Sequence, residues 1–307
     1  MISKKIVVAS LLVVAGPLMA APLSYDLKPQ KIADNTWVLQ GKLEDFSNRN
    51  GGNIVNTSFV VTEDGVVVID TGPSLKYGKE MRAVIASVTD KPIKYVFNTH
   101  QHPDHFLGNQ AFKDIEIFSL PKTKQQIQRD GDNFAENMYR LVGDWMRSTE
   151  VQLPTTVIES DHLTLGSHRF QLSAFSGHSG ADLVIYDEKT GVLFASDIVF
   201  YQRALTTPHT PGLAIWMDEI DRLESFKYTH IVPGHGPVTM DHRPLAQMKS
   251  YLQWLDKTLT DAAKAGLSMT EVIRLPISAE FDSIQLTRTE FVKTVAHLYP
   301  KYEELYF

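Results

Sequence analysis

The sequence predicts an α/β protein in which two strand-rich halves pack as a pair of sheets, with helices on the outer faces. Three observations support this class. Runs rich in β-branched residues, separated by turn signals, mark strands. One stretch between strands has apolar residues at helical spacing and makes a β-helix-β unit. The second half then repeats the layout of the first, strands before helices. Periodicity does not separate such a sandwich from other α/β arrangements.

Taken in order, "TWVLQG" (36–41), "NIVNTSFVVTEDGVVVID" (53–70) and "IKYVFNTH" (93–100) read as strands, with Glu63-Asp64-Gly65 as a turn. "LKYGKEMRAVIASVT" (75–89) is the helix between the last two. Pro121 to Ser148 reads as two helices interrupted near Gly131. Strands return at "TTVIE" (155–159), "HLTLG" (162–166), "HRFQLSAFS" (168–176), "DLVIYDE" (182–188) and "GVLFASD" (191–197). From Leu213 on the pattern is mostly helical, with "HIVPG" (230–234) as one embedded strand. With no Ser/Gly-rich linker and no low-complexity segment, residues 21–307 form a single predicted domain.

Residues 1–20 have the pattern of a secretory signal peptide: Lys4 and Lys5, an apolar run from Ile6 to Ala15, Gly16-Pro17, and small residues at Ala20 and Ala21. The run is shorter than the roughly 20 residues a membrane span needs, so no membrane insertion is expected after cleavage. The chain lacks cysteine, which excludes disulfides and a lipid-anchored precursor. Its formal charge is −6, and cleavage removes two lysines, so the mature protein is more acidic still. That balance argues against nucleic acid and anionic lipid as partners, and the expected location is the periplasm.

"THQHPDHFLGN" (99–109) carries the chemistry. On an extended segment side chains alternate, so His100 and His102 face one side and suit one metal ion. Pro103 turns the chain, and Asp104 and His105, facing away, suit a second ion beside the first. These four do not complete a site. His178 in "FSGHSGAD", Asp197 in "LFASDIVF" and His235 in "IVPGHGP" stand at predicted strand ends among small residues, where each can face a shared cleft. His162, His168, His209, His230, His242 and His297 lack that context and read as ordinary surface or structural residues. No cysteine nucleophile and no G-x-S-x-G elbow is present.

"THQHPDH", "GHSGAD", "SD" and "PGHG", in this order, resemble the metallo-β-lactamase superfamily, from "TWVLQG" through at least "PGHGP". The resemblance implies an αββα sandwich with a dinuclear metal site at one edge. It implies that His100, His102 and His178 bind a first Zn2+, that Asp104, His105 and His235 bind a second, and that Asp197 bridges them. Asp70, in "VVVIDTG", would support the metal loop without binding metal. Two zinc ions per chain about 3.5–4 Å apart would share a water, lower its pKa toward about 7 and hold the hydroxide beside a bound carbonyl. Asp104 and His105 are the residues expected to take part in catalysis.

The expected substrate is a small molecule with a carbonyl ester, thioester, lactone or amide bond. Absence of cysteine excludes the β-lactamase subclasses with a cysteine ligand, whereas the cysteine-free subclass normally lacks the bridging acid present here as Asp197. "SDIVF" resembles glyoxalase II type thioester hydrolases, without their C-terminal glutathione-binding motif. The whole chain is most similar to exported SoxH-like hydrolases, including a group associated with quinoprotein dehydrogenases, which implies an exported quinoprotein or sulfur-oxidation system as partner. The alternatives are a β-lactamase, a mononuclear iron persulfide dioxygenase and a non-catalytic metal-binding accessory. Tyr201 and Arg203, just after the bridging acid, are the expected substrate contacts. "SNRNGGN" (47–53) resembles the family's flap and reads as a solvated turn, while Met138, Tyr139, Trp145 and Met146 read as packing.

Overall fold

A computed structural model of the chain describes residues 23–306, so the predicted signal segment at 1–20 lies outside the described residues. Seven strands form one sheet in sequence order: β1 (Pro29–Ala33), β2 (Thr36–Leu39), β3 (Thr57–Val61), β4 (Val66–Ile69), β5 (Ile93–Phe97), β6 (Glu116–Ser119) and β7 (Thr156–Val157). The first four pair antiparallel. From β4 onward the pairs are parallel. The crossover from β4 to β5 is α1 (Leu75–Val88), whose first turn is capped by the Ser74 hydroxyl accepting from the amide of Tyr77. The second sheet has the order β12-β11-β10-β9-β8, built from β8 (His162–Leu165), β9 (His168–Phe175), β10 (Asp182–Asp187), β11 (Val192–Phe200) and β12 (His230–His235).

The two sheets face each other, and the strand period of two explains how. Val67 and Ile69 of β4 point inward with Leu183 and Ile185 of β10 and Val192 and Phe194 of β11, forming the core between the sheets. Their neighbours Val66 and Val68 point outward against Tyr77, Met81 and Ile85 of α1. Val184, Leu193 and Ala195 point outward on the other side. They meet α4 (Leu213–Leu223), α5 (Arg243–Lys264) and α7 (Thr287–Tyr306). Both faces of the central strands are therefore apolar, which is why "VVVI" and "VLFA" are unbroken hydrophobic runs. Burying a side chain such as Phe97 or Phe194 here contributes about 1.5–3 kcal/mol. The remaining helices are α2 (Pro103–Phe106), α3 (Pro121–Val142) and α6 (Met269–Val272).

Three local expectations are corrected. Residues 121–142 form one helix, α3, rather than two. Gly131 is a packing position on it, where a Cβ would lie 3.0 Å from Val151 Cγ1. Segment 47–53 is solvated only in its first half: Asn48 and Arg49 are exposed, while Asn50, Gly51, Gly52 and Asn53 are buried. Asn50 makes this possible by accepting from the amides of Ser47 and Gly52 and donating to Glu44 and the Asp45 carbonyl. Two strands that the residue pattern did not announce, β1 and β6, join the first sheet. Met138, Trp145 and Met146 pack with Phe106 and Ile127 beneath the metal loop, while Tyr139 is exposed.

Candidate metal centre

Strand β5 delivers the chain into the site. Beyond Phe97 the chain leaves the sheet, bends at His100 and Gln101 and is extended at His102, and Pro103 then starts α2 at the position where a missing N–H costs nothing. His100 and His102 fall in one ligand group, and Asp104 and His105 rise from the short helix; all four are buried. His178 lies on the β9–β10 loop. Asp182 shapes that loop by accepting from the amides of Gly177 and Ser179 and from the Ser179 hydroxyl. Asp197 sits in β11 just past Ser196, a residue with φ 45°, where the pairing with β12 shifts register. Such an irregularity re-aims a side chain. His235 ends β12 beside it. Gly234 permits the approach, since a Cβ there would lie 1.8 Å from Asp197 Oδ1.

These elements place seven side chains in two groups, His100, His102, His178 and Asp197 in one, and Asp104, His105 and His235 in the other. Within each group the candidate ligand atoms lie within 4.8 Å of one another. His102 Nδ1 is 3.0 Å from His100 Nε2 and 2.7 Å from His178 Nε2. Asp197 reaches both groups, with Oδ2 at 3.3 Å from His178 Nε2 and 3.2 Å from His235 Nε2, and Oδ1 at 3.1 Å from His105 Nε2. Asp104 Oδ2 is 3.5 Å from His235 Nε2 and 3.8 Å from His105 Nε2.

Outer contacts fix how the rings face. Asp70 Oδ2 accepts from His105 Nδ1 at 2.7 Å and from the Thr99 hydroxyl at 2.7 Å, and its Oδ1 accepts from the Thr99 amide at 2.8 Å. His235 Nδ1 donates to the Ile54 carbonyl at 2.8 Å. With the proton held on Nδ1, Nε2 of each ring points into the site. Burial alone would lower the His105 imidazole, but the carboxylates of Asp197, Asp70 and Asp104 hold it well above the ordinary histidine value, so an arriving cation displaces its Nε2 proton. Burial pushes the imidazoles of His100, His102 and His178 well below the ordinary histidine value, so they are neutral and free to ligate. Burial alone would raise the Asp197 carboxyl, but the imidazoles beside it, His235 and His105 foremost, hold it well below the usual range.

The donor set fits a metal. Three neutral imidazole nitrogens face one another at hydrogen-bond distance, and His105 Nε2 and Asp197 Oδ1 are buried without completing a hydrogen bond. Buried polar atoms left in this state are costly unless something else satisfies them, and divalent cations bound by nitrogen and oxygen ligands do so.

A cavity of about 270 Å³ opens onto these residues, lined by His102, Asp104, Asp197 and His235 on the metal side and by Phe46 and Phe134 among its apolar walls. Glu290, Lys293 and His297 of α7, together with Asp45, close the far wall. Arg203 also lines the cavity, but it is buried, donates to the carbonyls of Glu44 and Ala204, and pairs with Glu290 at 3.6 Å. Tyr201 is buried, bonds through its amide to the His235 carbonyl, and is not among the cavity-lining residues. His209 and His297, read from sequence as ordinary residues, both line the cavity, and His209 Nδ1 is 2.7 Å from His102 Nε2. No sequence signal marked His209: it sits in "TTPHTPG", outside any strand-end context.

Comparison with known proteins places this geometry among relatives. The chain is 22% identical over 264 residues to the linear primary-alkylsulfatase of Pseudomonas sp. (strain ATCC 19151), covering 69% of this chain and 48% of that protein. It is 27% identical over 186 residues to the beta-lactamase-like protein 2 homolog of Caenorhabditis elegans, covering 60% and 56%. The chain therefore spans about half the length of the curated relatives it matches. Among solved structures, the metallo-beta-lactamase from Pontibacter korlensis superposes with a TM-score of 0.61 at 22% identity, over 74% of this chain and 99% of that one. The metallo-beta-lactamase IND-7 gives a TM-score of 0.59 at 20% identity, over 75% and 100%. The sequence model of one family, the metallo-beta-lactamase superfamily, matches residues 50–235, the span that runs from the buried end of the 47–53 turn to the last candidate ligand. Its match over more than half of the chain carries the conclusion that this protein belongs to the metallo-beta-lactamase superfamily.

Proposed function

We propose that the mature chain is a periplasmic hydrolase that works with two zinc ions and cleaves a carbonyl ester, thioester, lactone or amide of a small molecule. The observation that carries this reading is Asp197, whose carboxylate reaches both ligand groups at 3.1–3.3 Å and so can serve two ions at once. His100, His102 and His178 would hold the first ion, Asp104, His105 and His235 the second. When bound, such a pair supplies Lewis-acid polarisation and lowers the pKa of a shared water.

The chain's own residues do the rest. Asp197 sets the spacing of the two groups from a strand that is buried throughout. Asp104 lines the cavity, and its carboxylate can accept a hydrogen bond from the attacking water. Asp70 holds the Nδ1 proton of His105 and so aims its Nε2 at the second group. Phe46 and Phe134 exclude water from the apolar walls. Of the two proposed substrate contacts, Arg203 has a place on the cavity wall, and Tyr201 would act through the backbone beside His235.

Metal analysis of protein purified without added metal, followed by a screen of ester, thioester, lactone, β-lactam and primary alkyl sulfate substrates, tests the reading. The last belongs in the panel because a curated relative is a linear primary-alkylsulfatase. Two zinc ions with turnover of a carbonyl substrate is the expected result; one iron with oxygen consumption on a persulfide refutes it. Export is tested separately by N-terminal sequencing of the protein recovered from the periplasm. Association with an exported quinoprotein or sulfur-oxidation system rests on the sequence resemblance alone.

A further inference from the structure

The loop between β11 and α4 touches both arms of the first ligand group. His209 Nδ1 lies 2.7 Å from His102 Nε2. The adjacent Thr210 donates its hydroxyl to the Gly177 carbonyl at 2.6 Å, immediately before His178. His102 is turned the opposite way from the other ligand rings. It offers Nδ1 to the group, at 3.0 Å from His100 Nε2 and 2.7 Å from His178 Nε2, whereas the others offer Nε2.

That reversal creates a need. A neutral imidazole has one N–H and one lone pair. His105 and His235 keep their proton on Nδ1 by donating it to Asp70 and the Ile54 carbonyl, and His100 Nδ1 lies 3.2 Å from the Thr99 hydroxyl. For His102 to present a lone pair at Nδ1, its proton must sit on Nε2 and find an acceptor there. His209 Nδ1 is the hydrogen-bond partner recorded at that atom. Phe134, packed edge-on to both rings at centroid distances of 6.2 and 5.9 Å, confines the pair.

We propose that His209 is the positioning residue that sets the tautomer and ring orientation of His102, so that the Thr206–Gly212 loop assembles the first ion's site. The inference rests on the two-ion reading above. It also ties the cavity wall to the metal group, because His209 lines the cavity.

The test uses the full-length protein, stripped of metal and titrated with Zn2+ against a chromophoric chelator, beside His209→Ala and His209→Asn. Asn Oδ1 stands the same number of bonds from Cβ as His Nδ1, so His209→Asn keeps the acceptor and His209→Ala removes it. Loss of an outer partner of a metal-bound histidine costs about 10–100-fold in metal affinity. His209→Ala is expected to weaken one of two binding steps by that factor and leave the other unchanged, with His209→Asn recovering most of the loss. Cobalt loading should shift the visible spectrum of one site only. Unaltered binding steps in His209→Ala, or His209→Asn as weak as His209→Ala, overturn the inference alone. Equal destabilisation of the metal-free proteins reduces His209 to a packing role and overturns it too. A wild-type protein that takes up no ion overturns the two-ion reading and this inference together.

Discussion

Asp70→Asn separates what a charge does at this site from what a shape does. The carboxylate receives three hydrogen bonds: the Thr99 amide at 2.8 Å, the Thr99 hydroxyl at 2.7 Å and His105 Nδ1 at 2.7 Å. Its backbone is left-handed, at φ 58°, a conformation that asparagine accepts more readily than alanine. Asp70→Ala would leave three buried donors short of a partner at about 1–3 kcal/mol each, which competes with a whole domain's stability of about 5–15 kcal/mol. Asp70→Asn is milder. Its carbonyl still takes the Thr99 amide, and its NH2 group can donate to the Thr99 hydroxyl. The same NH2 group cannot accept from His105, so His105 must move its proton to Nε2, where Asp197 Oδ1 waits 3.1 Å away. A protonated Nε2 cannot ligate.

The expected consequence is a second site weakened by about 10–100-fold, equivalent to about 1.4–2.8 kcal/mol, with the first site unchanged. Loss of one hydrogen bond to a charged group lowers metal-free stability by about 1.5–3 kcal/mol, so the variant stays folded. Stepwise zinc titration with far-UV circular dichroism as the folding control reads both quantities. Two binding steps identical to wild type, or equal loss of both, would refute the tautomer argument.

Other variants probe the packing behind the site. Gly234→Ala drives a Cβ to 1.8 Å from Asp197 Oδ1, so it should displace the shared carboxylate and reduce the binding of both ions; full metal content by elemental analysis would contradict this. Arg203→Met leaves Glu290 buried beside Lys293 alone, at 3.1 Å, and should lower the unfolding free energy by up to about 3–5 kcal/mol, read by denaturant titration, with Arg203→Met/Glu290→Gln recovering part of it. A raised KM without loss of stability would instead make Arg203 a substrate contact. Asp182, pushed up from 3.8 to about 6 by burial against the loop bonds that lower it, is protonated in the folded state before the unfolded one as pH falls. Its ionisation therefore opposes folding above pH 6 and the opposition is relieved toward pH 4, by about 3 kcal/mol at 1.36 kcal/mol per pKa unit. As pH falls across this window, metal-free wild type should gain that amount of stability relative to Asp182→Asn, whose amide does not titrate, and a pH-independent difference would sink the assignment.

What was legible in the sequence follows from where apolar side chains had to go. Strands β2 to β5 and β8 to β12 lie in the sandwich, several with both faces covered, so their residues carry the hydrophobic runs that mark them. Strand β1 is an edge with exposed and half-buried residues and so wrote no apolar run, and β6, of which Ile117 and Ser119 are the buried residues, has too little apolar surface to mark it. Helix α3 hid its continuity behind Gly131, a breaker by propensity but a contact for Val151 in the fold. The 47–53 turn looked solvated because its residues are polar. Its second half, Asn50 to Asn53, is buried because Asn50 satisfies the loop from within and Trp145 Nε1 donates to the Asn48 carbonyl at 2.8 Å.

The same distinction runs through the metal centre. By itself the sequence determined the α/β class and the seven candidate ligands, since histidine and aspartate clustered around Pro103, or standing after an apolar run beside glycine or serine, are a local signature. It did not carry the partners of those ligands. His102 and His209 are separated by 107 positions, and the cavity wall joins Asp45 to Lys293 across 248. Such pairings are set by which loops the two sheets bring to one edge, and by how α7 crosses it. A single hydrogen bond or ion pair needs only one suitable atom on each side and imposes no periodicity on the chain. Only the tertiary structure decided them.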